Sequence, residues 1–212
     1  MIDSIIFDLD GTLWDSTNEV AVAFNKVLQE KHQEVKEVVT TERLQQLFGL
    51  PLDEIAVKLY QSVPGEHAIK VMEECCAYEC DYLAEHGATL YDGLEQVLEA
   101  LSKEYKLFIV SNCQEGYIQC FFKAYPHLEK YFSDYEYPGR SGKLKADNIR
   151  LVIERNGLKN PIYVGDTQGD ANAAKEAGVP FIFASYGFGD VKEYEGVVAS
   201  LDEITKLVWS MH

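Results

Sequence analysis

Two carboxylates two residues apart, Asp8 and Asp10, end the apolar run Ser4-Ile5-Ile6-Phe7 and lead directly into Gly11-Thr12. A second pair, Asp166 and Asp170, lies in Gly165-Asp166-Thr167-Gln168-Gly169-Asp170, just after another apolar run, Pro-Ile-Tyr-Val. A spacing of four puts Asp166 and Asp170 on one side of a helical turn. A lone acid at a strand end is usually a turn or cap former. Acids leaving two apolar strands together are different, because carboxylates converging in one crevice repel each other unless a cation lies among them. Oxygen ligands with no nearby histidine suit Mg²⁺. Asp8, Asp10, Asp166 and Asp170 are therefore candidate magnesium ligands. The last segment is not an EF-hand loop, since it lacks the required ligands and the terminal Glu.

Ser111 and Asn112 follow Leu107-Phe108-Ile109-Val110. They would bring a hydroxyl, an amide and free backbone N–H groups to the start of a helix, which is a phosphate-binding arrangement. A transferring phosphoryl group also needs a cation. Lys143 and Lys145 precede a helical pattern one strand ahead of Asp166. Counting back from Gly157, the expected helix end, favours Lys143 slightly; counting from Ile149 favours Lys145. The five histidines, at 32, 67, 86, 127 and 212, are scattered and read as pairing with nothing. Neither GxxxxGK[ST] nor a strand-linked GxGxxG occurs, which argues against ATP or NAD chemistry.

These residues need elements to hold them. Apolar runs at 4–8, 106–110, 161–164 and 180–184, with a weaker one at 197–199, read as buried strands. Helical stripes separate them: Leu94, Val97, Leu98 and Leu101; Ile149, Val152 and Ile153; Ala171, Ala174 and Ala177. This alternation predicts an α/β fold, a Rossmann-like parallel sheet with helices on both faces. In such a sheet, ligands bind beyond the carboxyl ends of the strands, where the acids, Ser111 and Asn112 all fall. Residues 16–87 carry only helical stripes: Val20, Phe24, Val27 and Leu28; Leu52, Ile55, Ala56 and Leu59; Ile69, Met72, Cys76, Cys80 and Leu83. They read as an all-α unit inserted into a core domain made of residues 1–15 and 88–212, with hinges near 13–17 and 87–91.

The chain has 212 residues, 47% of them hydrophobic, and a formal charge of −16. Its length suggests one or two domains. So acidic a surface argues against nucleic acid and anionic membrane as partners. No apolar run approaches the ~20 residues that span a bilayer, and no signal-like segment opens the chain. Five cysteines without CxxC spacing suggest reduced thiols. The expectation is a soluble cytoplasmic protein, monomeric or a weak dimer.

Asp8-Leu9-Asp10-Gly11-Thr12 resembles the first motif, DxDGT, of the haloacid dehalogenase superfamily. Ser111-Asn112 resembles its second motif, Lys143 or Lys145 its third, and Gly165-Asp166-x-x-x-Asp170 its fourth. The order matches and spans nearly the whole chain. The helical insertion resembles the family's cap, and Asp-Leu-Asp-Gly-Thr-Leu-Trp-Asp-Ser is most similar to the phosphoglycolate phosphatase-like branch. The third motif departs from that branch, which has Lys-Pro where this chain has Gly-Lys-Leu-Lys-Ala. The resemblance implies a Mg²⁺-dependent phosphatase acting on a small phosphorylated metabolite. Asp8 would be the nucleophile and carry an aspartyl-phosphate; Asp10 would be the acid/base; the lysine would complete the catalytic set. Asp8, the Asp10 backbone carbonyl and Asp166 would hold the metal, with Asp170 assisting it or orienting the lysine. Gly11, Thr12, Ser111 and Asn112 would bind the phosphoryl group. A cap closing over the site would shield the intermediate from water. The nearest rival is a sugar phosphomutase of the same superfamily. A receiver-type signalling module also gathers acids and a lysine, but neither a helical insertion of about 70 residues nor an acceptor Asp on the first strand fits it.

Overall fold

The computed structural model describes residues 1–211; His212 lies outside the described residues. The chain opens with β1 (Ser4–Phe7) and β2 (Trp14–Asp15), followed by four helices, α1 (Thr17–Lys31), α2 (Thr41–Gln45), α3 (Leu52–Leu59) and α4 (Gly65–His86). Next come β3 (Thr89–Leu90), α5 (Leu94–Leu101), β4 (Lys106–Val110), α6 (Tyr117–Ala124), α7 (Pro126–Glu129), β5 (Phe132–Glu136) and α8 (Pro138–Ser141). The chain finishes with α9 (Lys145–Asn156), β6 (Pro161–Gly165), α10 (Gln168–Ala177), β7 (Phe181–Ala184), β8 (Gly196–Val198) and α11 (Leu201–Ser210).

Six strands form one parallel sheet in the order β5-β4-β1-β6-β7-β8. β1 lies centrally, with Phe7 level with Ile109 of β4 and Val164 of β6. The three strand ends that carry Asp8, Ser111 and Asp166 are therefore side by side. Because side chains alternate across a strand, the near-continuous apolar runs supply both faces of the sheet. Ile5, Phe7, Leu107, Ile109, Ile162 and Val164 join one core with α5, α6 and α11. Ile6, Phe108, Tyr163, Phe181 and Phe183 join a second core with α9 and α10. The fold is the expected Rossmann-like sheet covered on both faces, with an inserted helical cap.

The first core continues without a break into the cap, taking in Val20, Phe24, Ile55, Met72 and Leu83. Cap and sheet are joined at β2 and β3, which pair antiparallel as Trp14 with Leu90 and Asp15 with Thr89. Trp14 is fully buried there, with its ring edge-on to Phe121 at 5.0 Å and to Tyr117 at 5.9 Å. No helix among the described residues is long and apolar enough to cross a membrane.

The structure adds β5, which the apolar runs do not reveal. Its segment Phe-Ser-Asp-Tyr-Glu is a sheet edge, with Ser133 exposed. Its acids are neutralised from neighbouring helices: Asp134 and Glu136 bond Arg155, and Glu136 also bonds Arg140 at 2.8 Å. The ring of Phe121 anchors the junction between sheet and cap. Phe121→Ala is expected to lower unfolding free energy by about 3–5 kcal/mol in urea denaturation, as removal of a fully buried aromatic does.

Candidate active site

Asp8 follows the last residue of β1, and its backbone N–H donates to the Val164 carbonyl at 2.8 Å, extending the ladder to the edge of the crevice. Its side chain is 3% exposed. Lys145, the first residue of α9, donates from Nζ to Asp8 Oδ1 at 2.9 Å and also to Asp170 Oδ1. Burial works against the Lys145 ammonium, yet Asp170 and Asp8 hold its pKa well above the usual lysine value. Burial, reinforced by Asp170, pushes Asp8 up to about 6, against the pull of Lys145 and of a hydrogen bond from Ser111. Burial and the charges of Asp170 and Asp8 raise Asp166 well above an ordinary carboxyl group.

Asp170 is fixed by a reciprocal cap at the start of α10. Its Oδ2 accepts from the N–H groups of Asp166 and Thr167 at 3.2 and 3.0 Å, while its own N–H donates to Thr167 Oγ1. Asp166 Oδ2 accepts from the Phe188 N–H at 2.7 Å. Its Oδ1 is buried with no hydrogen-bond partner among the described residues. Asp8, Asp166 and Asp170 offer oxygens that all lie within 4.8 Å of one another. Three buried carboxylates face one ammonium, and one of their oxygens is unsatisfied. These residues fit a small, hard, divalent cation such as Mg²⁺, whose ligands are oxygens. Glycine makes the approach possible: at Gly11, with φ +77°, a Cβ would lie 2.1 Å from Asp166 Oδ2.

The Asp10 carboxyl group stands outside that cluster. Its Oδ1 accepts from Trp14 Nε1 at 2.9 Å and from Ser16 Oγ and Tyr117 OH, each at 2.7 Å. Burial pushes Asp10 up to about 7, with a smaller push from Asp8, while its three donors pull the other way. The Tyr117 hydroxyl stays protonated, since burial and Asp10 raise it well above the usual tyrosine value.

Ser111 is buried against Asp8, and Thr12 is buried with its Oγ1 unpartnered among the described residues. Asn112 Nδ2 donates to the carbonyl of Gly49 in the cap at 3.0 Å. Gly49 adopts φ +90°, and a Cβ there would meet Thr167 at 3.0 Å, so this loop of the cap reaches between the second and fourth motifs.

The structure separates the two lysines. Lys143 is exposed, and its described bonds are local backbone ones to Ser141 and Asn148, so the slight preference for it is corrected in favour of Lys145. The helix count failed because α8 ends at Gly142, with φ +68°, and α9 starts afresh at Lys145. Lys145 lies four residues before Ile149 and shares its inward face. Histidines also pair where none was expected: His32 Nδ1 and His67 Nε2 both approach Glu34 Oε1, at 3.3 and 2.8 Å, on the cap surface. Ser16, Tyr117 and Glu79 were missed as site residues. Glu79 had a signal, since an acid at the i+7 position from Met72 interrupts a helical core stripe; the structure buries Glu79 there, and Cys80 only partly.

Residues 5–184 match the family model described as haloacid dehalogenase-like hydrolase. The chain belongs to this family. Among relatives of these hydrolases, the phosphoglycolate phosphatase of Nitrosospira multiformis is 28% identical, over 98% of this chain and 96% of its own. That of Escherichia coli K12 is 25% identical over 96% and 91%. By these relatives, the hydrolase is similar to the phosphoglycolate phosphatases. A predicted phosphatase from Clostridium acetobutylicum superposes with a TM-score of 0.82 at 26% identity, over 99% of both chains. A predicted phosphoglycolate phosphatase from Haemophilus somnus shares the fold, with a TM-score of 0.82 at 22% identity over 98% of both chains.

Lys145→Met leaves buried carboxylates without their cation and is expected to lower stability by roughly 3–5 kcal/mol in urea denaturation. Lys143→Ala should stay within about 0.5 kcal/mol of the parent. Mg²⁺ should raise the melting temperature of the parent, by an amount equivalent to about 2.7 kcal/mol at a hundredfold excess over its Kd. Asp166→Asn should lose most of that rise, whereas an equal rise in both proteins would remove Asp166 from the metal site.

Proposed function

We propose that this hydrolase is a Mg²⁺-dependent phosphatase of small phosphorylated metabolites, working through an aspartyl-phosphate on Asp8. The observation that carries the reading is the contrast between two acids two residues apart. Asp8 lies against an ammonium, and Asp10 lies against three neutral donors. With a pKa of about 6, Asp8 is largely ionised at neutral pH and serves as nucleophile. With a pKa of about 7, Asp10 is available there in both protonation states. General acid/base catalysis works best in that range.

Asp8 attacks phosphorus as the ester P–O bond breaks, and Asp10 gives its proton to the departing alkoxide. Asp10 then takes a proton from water, which attacks the aspartyl-phosphate and releases inorganic phosphate with Asp8 regenerated. Mg²⁺, held by Asp8, Asp166 and the Asp10 backbone carbonyl, would supply the positive charge that lets a phosphate dianion approach a carboxylate. Lys145 holds Asp8 in place and shares its charge with Asp170. Ser111, Asn112, Gly11 and Thr12 receive the phosphoryl oxygens, for which Asn112 exchanges its bond to Gly49.

Phosphate release from a panel of phosphomonoesters with Mg²⁺ tests this reading. Asp8→Asn should abolish release, and persistence of activity in that variant or in excess chelator would overturn the mechanism. Isomerisation of a sugar phosphate without release would make the enzyme a phosphomutase. The pH profile provides a further check. Tyr117 stabilises the Asp10 carboxylate, so Tyr117→Phe should raise the Asp10 pKa. The first half-reaction needs Asp10 protonated, so the basic limb of kcat/KM should move to higher pH.

A further inference from the structure

Glu79, on α4 of the cap, has no part in the chemistry above, yet it is 3% exposed and lines the same cavity as Asp8, Asp10 and Ser111. An acid is seldom buried without a partner or a purpose. Glu79 Oε2 accepts from Gln114 Nε2 at 2.6 Å, and Gln114 lies two residues beyond Asn112 in the loop that receives phosphate. The bond therefore ties the carboxyl group to the loop that carries Ser111 and Asn112, on the wall of the same cavity. The rest of the wall contributed by the cap is mostly apolar, including Phe24, Phe48, Ile55 and Met72. Among the described residues no Lys, Arg or His lines this cavity, whereas Asp8, Asp10 and Glu79 do. Burial, with smaller contributions from Cys80 and Asp10, raises Glu79 well above the usual carboxyl range, so the wall is an acceptor or a neutral acid and offers no cation in either state.

Asp8 opens into a cavity whose far wall is Glu79 and these cap side chains, so a phosphoester bound at Asp8 would extend its leaving group toward them. A leaving group ending in a carboxylate would be placed beside Glu79 with no counter-charge. One ending in a hydroxyl would find a carboxyl group, oriented by Gln114, whose oxygen can accept from it whether Glu79 is ionised or neutral, and one ending in an ammonium would also gain a counter-charge when Glu79 is ionised. We propose that Glu79 selects phosphomonoesters whose leaving group carries a hydrogen-bond donor, and disfavours those carrying a carboxylate, 2-phosphoglycolate included. This rests on the phosphatase reading and specifies its substrate class. The branch's name and this enzyme's preference would then differ.

Three esters of nearly equal size share a two-carbon leaving group and differ only at its end: 2-hydroxyethyl phosphate, 2-aminoethyl phosphate and 2-phosphoglycolate. Phosphate release by the parent enzyme with Mg²⁺ should give a kcat/KM at least tenfold higher for one of the first two than for 2-phosphoglycolate. Which of the two is faster tells hydroxyl from ammonium. Glu79→Gln keeps a hydrogen-bonding group of the same shape without the acid. It should narrow the ratio severalfold, mainly through a higher KM for the favoured ester. Equal or faster turnover of 2-phosphoglycolate by the parent would overturn the assignment while leaving the phosphatase reading intact. So would a Glu79→Gln variant that scales all three esters equally. Release from none of them, nor from p-nitrophenyl phosphate, would overturn both.

Discussion

The site depends on one ammonium held among acids. Lys145 bridges Asp8 and Asp170 in a place where three carboxylates are buried together, and no other cation among the described residues reaches them. Without such a charge, burial would drive those groups to their neutral forms. The geometry around it follows from this need. α9 must start where it does, so that its first residue faces the strand ends rather than solvent. α10 must start with a reciprocal cap, because that cap ties up one oxygen of Asp170 and turns the other toward the lysine. The single lysine balances only part of the negative charge. The residual imbalance, with the unsatisfied oxygen of Asp166, is what fits the cluster to a divalent cation.

The same constraint explains why two neighbouring acids can do different work. Asp8 and Asp10 follow the end of the strand two residues apart, and their side chains enter different surroundings. Asp8 is drawn into the ionic cluster. Asp10 is drawn away by an indole, a serine hydroxyl and a phenol contributed by the cap junction and α6. The junction that links the two structural units thus also lowers a site residue's proton affinity, which burial raises.

Much of the sheet was legible because parallel strands buried on both faces are written as unbroken apolar runs, and those runs end where the acids stand. β5 was not legible, because an edge strand can carry Ser133 and Asp134 when helices supply arginines to match. β2 and β3 are two residues each, too short to show any period. The choice between lysines was hidden by Gly142, which ends one short helix and lets the next begin three residues later. Spacing shows which residues can share a face, but not where a new helix starts. Glu79 is masked by register: Cys80, one position along, completes a plausible stripe with Met72, Cys76 and Leu83, so the acid at the buried position does not stand out. Tyr117 left no trace, since an aromatic on a buried helix face is the ordinary case.

The narrow neck formed by β2 and β3 has an evolutionary consequence. Paired antiparallel strands keep the two points of departure and return about 5 Å apart. To the sheet, the cap is therefore an insertion whose ends already meet, however long it is, even though the two share one core. Lengthening, shortening or replacing it need not shift the register of any sheet strand or move Asp8, Lys145 or Asp166. Recognition and chemistry can then vary on separate timescales in descent, with the reacting groups kept on the sheet and the discriminating acid carried on a part that can be exchanged.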